Sequence, residues 1–307
     1  MRLLLCFLFV LSLAAQPREV AITIDDLPRG GDDPAAFHYD AIRAMTEKLL
    51  TPLAGTHAIG FVNPGRDSAA AIGDDGLQRI LRLWRDAGLD LGNHTQTHPN
   101  INKTPLADYQ ADVLAAEPAI TKARGARSVY FRHPFLFTGP DAATRAALSR
   151  FLEEQRYVVA PVTVDNSDWL FAAVYAAAAK RDKAEAARVR DRYLLYMDEM
   201  FAYWEGAARQ VTGGDIPQIL LIHANQLNAD AMPDLLALMR RRGYRFIPLE
   251  QALRHPAYRL ADGYTGPWGI SWIRRWAAAK GIKLTGEPNE PKEILDAFNA
   301  LRKATAP

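Results

Sequence analysis

Short apolar runs that close on polar residues alternate along the chain with longer stretches in which apolar positions recur three and four apart. The first pattern predicts buried strands and the second predicts helices packed by one face. Strands are expected at Val20–Ile24, His57–Val62, Leu89–Leu91, Val129–Phe131, Tyr157–Val164, Gln218–Ile222 and Tyr244–Pro248. Helices such as Leu77–Ala87, Ala107–Arg124, Asp141–Glu154 and Ala231–Arg242 fall between them. Seven strands alternating with helices imply an α/β fold with a parallel sheet, for which a closed (β/α) barrel and an open doubly wound sheet are equally compatible. No repeat, low-complexity tract or Gly/Ser linker divides the chain, so a single main domain is expected.

Three segments depart from the alternation. Residues 3–15 form a short apolar run behind Arg2 that ends in small residues, the pattern of a secretory signal peptide over residues 1–15. The run falls short of the roughly 20 apolar residues that span a bilayer, so no stable membrane insertion is expected, and the protein is expected to be secreted or periplasmic. Cleavage near Ala14 or Ala15 would remove Cys6, the one cysteine. Phe171–Arg209 is Ala-rich and charge-laced, and predicts a helical insertion of one or two helices with Tyr193, Tyr196, Phe201, Tyr203 and Trp204 on its inner face. The tail from Tyr258 carries Trp268, Trp272 and Trp276, four apart, as they would be along one helix face. Such a stripe predicts buried packing more readily than a sugar-binding surface.

Composition narrows the chemistry. Of 307 residues, 49% are hydrophobic and 23% charged, which excludes a disordered or fibrous chain. Lys plus Arg number 37 against 35 for Asp plus Glu, so no strong field favours nucleic acid or an anionic membrane, and a neutral substrate fits more easily. A single cysteine excludes a disulfide framework and a Cys-rich zinc module, leaving His, Asp and Glu to hold any metal.

Polar residues follow directly on five of the apolar runs, where loops at the C-terminal ends of parallel strands would gather them. Thr23-Ile24-Asp25-Asp26 puts two aspartates where a strand should end, since neighbouring strand residues otherwise point to opposite faces; an Asp-Asp turn or helix cap would serve as well. His94 and His98, four apart, would share one face of a helical turn and could bind one metal, or could be a pair of surface histidines. Arg132, after Tyr130-Phe131, can hold a carboxylate bidentately, or can be a surface charge at a strand end. Asp165-Asn166-Ser167-Asp168-Trp169 sets carboxylates beside an aromatic wall. His223 closes Leu220-Leu221-Ile222, a position more often occupied by a structural histidine than by a catalyst.

Taken in order, TIDD, HTQTHP, RHPF, DNSDW and LIH resemble the five motifs of the polysaccharide deacetylase family, the NodB-like carbohydrate esterases that remove N- or O-acetyl groups from chitin, peptidoglycan, xylan and related glycans. The resemblance runs from Val20 to about Leu253, with Ile24 and Phe135 standing where the family carries other bulky residues. It implies a distorted (β/α) barrel of about seven parallel strands, bearing the helical insertion at 171–209 and a C-terminal helical tail. The boundaries that follow are a catalytic domain over 16–257 and an extension over 258–307.

The resemblance further implies a divalent metal held by Asp26, His94 and His98. Zinc is preferred for such donors, and cobalt or nickel are alternatives. Asp25 would be the general base on a metal-activated water and His223 the general acid, with Arg132 orienting Asp25 and Asp168 supporting both His223 and Arg132. Phe135 would supply a backbone oxyanion donor, while Phe135, Trp169 and Leu221 line the substrate pocket. The partner expected is a glycan or oligosaccharide and not nucleic acid. The competing readings are a metal-dependent hydrolase of a small-molecule, non-peptide C–N bond, and a catalytically silent glycan-binding protein, which would need neither Asp25 nor His223. The glycan, N- against O-deacetylation, the physiological metal and the oligomeric state are not encoded in these motifs.

Overall fold

A computed structural model describes residues 17–305; the apolar run read as a signal peptide lies outside the described residues. Seven strands pair in parallel: β1 (Arg18–Leu27), β2 (Ile59–Val62), β3 (Asp90–Asn93), β4 (Tyr130–Phe131), β5 (Val158–Val159), β6 (Gln218–His223) and β7 (Tyr244–Phe246). The sheet order is β5-β4-β3-β2-β1-β6, with β7 paired to the start of β1, so that Val20 faces both Gln218 and Phe246. Ten helices among the described residues surround it: α1 (Tyr39–Leu53), α2 (Asp67–Asp86), α3 (Leu106–Arg124), α4 (Ala142–Glu154), α5 (Asp168–Arg181), α6 (Lys183–Thr212), α7 (Gln226–Arg241), α8 (Leu249–Leu253), α9 (Trp272–Ala279) and α10 (Lys292–Thr305). This is the distorted (β/α) barrel expected from the sequence. Strands covered on both faces carry unbroken apolar runs, and β1 is buried from Val20 to Leu27.

The barrel closes irregularly. The strand expected over Tyr157–Val164 forms only at Val158–Val159, because Pro161 has no N–H to give to a ladder. Contact with β6 returns at one parallel bridge, Val164 to Leu220, supported by the Thr163 N–H donating to the Ile219 carbonyl at 3.0 Å. Carbonyls left over along this stretch are taken up by the tail: Trp272 N–H donates to the Val162 carbonyl at 2.7 Å and Ser271 Oγ to the Thr163 carbonyl at 2.9 Å. The C-terminal segment thus fills the gap in the barrel wall.

Local chemistry explains where the helices begin and break. The α2 stretch holds two helical pieces separated at Gly73, whose φ of 64° and ψ of 174° are not helical, so the period at Leu77–Ala87 reported only its second half. Asp182 separates α5 from α6 by capping Ala184 N–H at 2.8 Å. Tyr193, Tyr196, Phe201 and Trp204 are buried along α6, and Tyr203 is half-buried. The three tail tryptophans do not share a helix face. Helix α9 starts at Trp272, so Trp276 packs in the core against Tyr258, Trp272 lies half-buried beside Arg275, and Trp268 stands in the preceding loop at 70% exposure. Among the described residues no helix is long and apolar enough to cross a membrane.

Close packing of β2 and β3 depends on small residues. A Cβ at Gly92 would lie 2.4 Å from the Phe61 ring, and that ring is fully buried beneath the Arg132 guanidinium, 4.9 Å away. Gly92→Ala should therefore cost about 1–3 kcal/mol in denaturant unfolding, the usual scale of overpacking. An unchanged unfolding midpoint would show that Phe61 yields freely.

Candidate active site

The parallel register of β1 with β6 runs from Val20 opposite Gln218 to Asp25 opposite His223, and so sets an acidic and an imidazole side chain side by side at the C-terminal end of the sheet. Strand β1 does not stop at Ile24. It continues to Leu27 through a register shift against β2, with Asp26 at φ 68°. This bulge, not a strand end, turns consecutive aspartates toward one cavity. Asp25 Oδ2 and Asp26 Oδ1 each lie 3.6 Å from His94 Nε2, and Asp26 Oδ1 is 3.5 Å from His98 Nε2.

Nor do His94 and His98 sit on a helical turn; they belong to the loop that follows β3. Thr95 and His98 take φ values of 70° and 61°, held by Asn93 Oδ1 accepting from Thr95 N–H at 2.8 Å and Thr95 Oγ1 accepting from His98 N–H at 3.0 Å. Asn63 Nδ2 donates to the carbonyls of His94 and Thr95. Backbone forced into left-handed conformations at Asp26, Thr95 and His98 is strain concentrated around one set of side chains.

His94 Nδ1 lies 2.8 Å from the Arg132 carbonyl, which can only accept, so the neutral ring carries its proton on Nδ1 and turns a bare Nε2 to the aspartates. Burial pushes His94 well below the ordinary range. It likewise takes His98 down to about 4, against the pull of Asp26, so both rings are neutral at pH 7. Burial opposes ionisation of Asp26, but His98 and the Arg66 guanidinium, whose Nη1 is 2.5 Å from Oδ2, hold its carboxyl far below the usual range. Asp26 Oδ1 is buried without a hydrogen-bond partner.

One donor atom from each of Asp26, His94 and His98 lies within 4.8 Å of the others. Atoms bound to a tetrahedral zinc at its usual bond lengths lie about 3.3 Å apart, close to the spacings here. The three side chains can hold a metal ion.

Arg132 is fully buried, with Nη1 3.5 Å from Asp25 Oδ2 and Nη2 donating to Thr23 Oγ1 at 2.8 Å. Burial raises the Asp25 carboxyl to about 6 against the opposing charge of Arg132, and its Oδ1 has no partner. Asp168 supports His223 alone among the two residues expected of it. It accepts from His223 Nδ1 at 2.7 Å, His223 N–H at 2.9 Å and Asn228 Nδ2 at 2.6 Å, while Arg132 makes its described side-chain bonds to Asp25 and Thr23. The carboxylate that bears on Arg132 from this loop is Asp165, itself raised to about 6 by burial. His223 loses by burial but gains more from Asp168, Asp26 and Asp25, and rises to about 9.

These groups lie on the wall of one cavity of about 660 Å³. Phe135, Trp169 and Leu221 line it together with Asp165 and Trp268, and Arg66 and Phe298, unanticipated from the sequence, line it too. The rule that polar residues following an apolar run gather at the barrel mouth, which picked out Asp165 directly after Val164, would also have found Arg66, four residues after Val62. No local signal marks Phe298, and the spacing of Trp268 with Trp272 and Trp276 pointed to buried packing instead. Phe135 and Leu136 have φ values of 57° and 56°, and Arg275 from the tail holds them by donating to the Leu136 carbonyl at 2.8 Å.

Fold and site together define a distorted (β/α) barrel whose mouth gathers three side chains able to hold a metal ion. The family model for polysaccharide deacetylase matches residues 13–151. The match takes in TIDD, HTQTHP and RHPF, with DNSDW and LIH lying beyond it. A peptidoglycan-N-acetylglucosamine deacetylase of Bacillus cereus is 24% identical over 151 residues, 49% of this chain and 46% of that protein, so the chain spans about half the length of this curated relative. Among solved structures, the chitin deacetylase of the fungal pathogen Colletotrichum lindemuthianum has a TM-score of 0.51 at 21% identity, covering 78% of this chain and 88% of that one. A mutant CE4 family pseudoenzyme has a TM-score of 0.50 at 18% identity, covering 77% and 67%. These two likenesses support the fold.

The Asp168–His223 pair makes a signed prediction for metal-free protein. With the carboxylate present the ring should titrate near 9; in Asp168→Asn the largest opposition to burial is lost, only Asp26 and Asp25 remain to oppose it, and the value should fall. Histidine resonances followed by NMR against pH would show it, and a ring still titrating near 9 in the variant would refute the pairing.

Proposed function

We infer that the protein is a secreted or periplasmic, metal-dependent deacetylase that hydrolyses N- or O-acetyl groups on a glycan. The observation that carries this reading is the placement of Asp25 opposite His223 beside the three donor groups of Asp26, His94 and His98. A divalent ion on those donors, zinc by their character and cobalt or nickel as substitutes, supplies Lewis acidity toward water and the acetyl carbonyl.

The chain's own groups divide the remaining work. Asp25, with one oxygen toward Arg132 and Oδ1 free, accepts a proton from the attacking water. His223 gives its Nδ1–H to Asp168 and carries a second proton on Nε2, which it delivers to the departing nitrogen or oxygen. The Phe135 backbone N–H, in a loop fixed by Arg275, is the donor assigned to the developing oxyanion. Phe135, Trp169 and Leu221 form the apolar wall against which the acetyl methyl packs. A silent binding protein would have no use for a base and an acid set across one cavity. That disfavours the binding-only reading.

Acetate release from chitooligosaccharides, peptidoglycan and acetylated xylan should vanish with a chelator and return with zinc or cobalt; full turnover by metal-free protein would overturn the reading. Asp25→Asn should keep its metal and lose about 10²-fold or more in kcat, the scale of general-base loss, while Asp26→Asn and His94→Ala should lose the metal itself. Equal metal loss in the two aspartate variants would mean that base and ligand are wrongly assigned.

A further inference from the structure

Only three aromatic side chains stand exposed on the described surface, and all three open onto the same cavity: Phe135 and Trp169 at 50% and Trp268 at 70%. The other exposed large hydrophobic residues, Leu114, Val129, Val158, Leu195 and Leu295, are aliphatic and lie away from it. Single exposed apolar residues are ordinary, but aromatic ones gathered at one cleft mark a binding surface. Phe135 belongs to the turn that follows β4, and Trp169 to the first turn of α5. Trp268 comes from the C-terminal extension, outside the segment matched to the family.

The loop that carries Trp268 is built, not merely draped. Trp268 N–H donates to the Tyr264 hydroxyl at 3.0 Å, and the Pro267 carbonyl accepts from Asn102 Nδ2 at 2.7 Å, four residues beyond His98. Gly269 lies so close to the Phe135 carbonyl that a Cβ there would sit 1.7 Å from its oxygen, a contact only glycine permits. The same tail reaches the opposite aromatic: Phe298 of α10 meets Trp169 edge to face at 5.3 Å. Holding the backbone that presents an exposed indole costs conformational freedom with little burial in return, a cost recovered when a ligand covers the ring.

A pyranose ring offers a face of C–H bonds bordered by hydroxyls, which suits the flat face of an indole. A cavity of about 660 Å³ has room for more than the acetyl group and its own sugar. Resting on the glycan-deacetylase reading above, we propose that Trp268 is a sugar-stacking residue. It receives a ring neighbouring the one deacetylated, and the C-terminal extension thereby sets how strongly longer glycans are preferred.

The test uses the full chain with its metal, as wild type, Trp268→Ala and Trp268→Phe, on acetylated chitooligosaccharides of increasing length. Wild type should gain in kcat/KM as rings are added. Trp268→Ala should lose that gain, chiefly through KM, by about tenfold on the longest substrate, and Trp268→Phe should recover most of it. In the Asp25→Asn background, the fluorescence change on adding an oligosaccharide should shrink when Trp268 is removed. Thermal midpoints within a degree or two would exclude misfolding, since the side chain is mostly exposed. Wild-type turnover with the same length dependence in Trp268→Ala would overturn this inference and leave the proposed function standing. No binding and no acetate release by wild type on any glycan would overturn both.

Discussion

The pairing of β1 with β6 is the constraint on which the site depends. Six consecutive residues of β1 align with six of β6, and the last pair is Asp25 with His223. A slip of one residue would turn every side chain of β1 to the other face, taking the carboxylate out of the cavity and an apolar residue into it. Thr23 helps to lock the register, since its hydroxyl donates to the Leu220 carbonyl on β6 while accepting from Arg132. One hydroxyl thus ties the central strand pair to the guanidinium that faces Asp25.

Buried carboxylates crowd this mouth, and three of them are each matched to a cation. Asp25 faces Arg132, Asp26 faces Arg66 and Asp168 faces His223. Such pairs recover in mutual attraction and hydrogen bonds part of what burial costs, and breaking one leaves a buried charge uncompensated. The pairs are unequally complete. Asp168 is filled with four donors, whereas one oxygen each of Asp25 and Asp26 has none. A saturated carboxylate positions its neighbour; an unsaturated one keeps a lone pair for a proton or an ion. The roles proposed for the two kinds of aspartate rest on this difference.

The C-terminal extension acts on the barrel at the place where strand pairing fails. Residues Ser271 and Trp272 bond to the carbonyls of Val162 and Thr163, Arg275 holds the Leu136 carbonyl, and α10 packs on α5 beside Trp169. A barrel with an irregular seam has unpaired backbone polar groups to satisfy, and a segment that satisfies them is placed at the rim of the mouth. Closure of the wall and construction of the cleft are therefore one event.

Sequence by itself determined the kind of fold and the residues gathered at its candidate site. Strands buried on both faces must be apolar runs, helices on a core must repeat at three and four, and the loop after each parallel strand is where polar residues collect; Asp25, Asp26, His94, His98, Arg132, Asp168 and His223 were all legible on these terms. Their geometry was not. The bulge that turns Asp26, the loop conformation of His94 and His98, the partition of Asp168 to His223 and Asp165 toward Arg132, and the arrival of Trp268 and Phe298 at the cavity arise from pairings between distant segments. Even Trp268, Trp272 and Trp276, spaced as if along one helix, went to solvent, an intermediate position and the core, because the helix starts only at Trp272. Local pattern reports which face of an element seeks burial; only the packed barrel decides which side chains meet across it, because that depends on register, strand twist and the filling of space by residues far away in the chain.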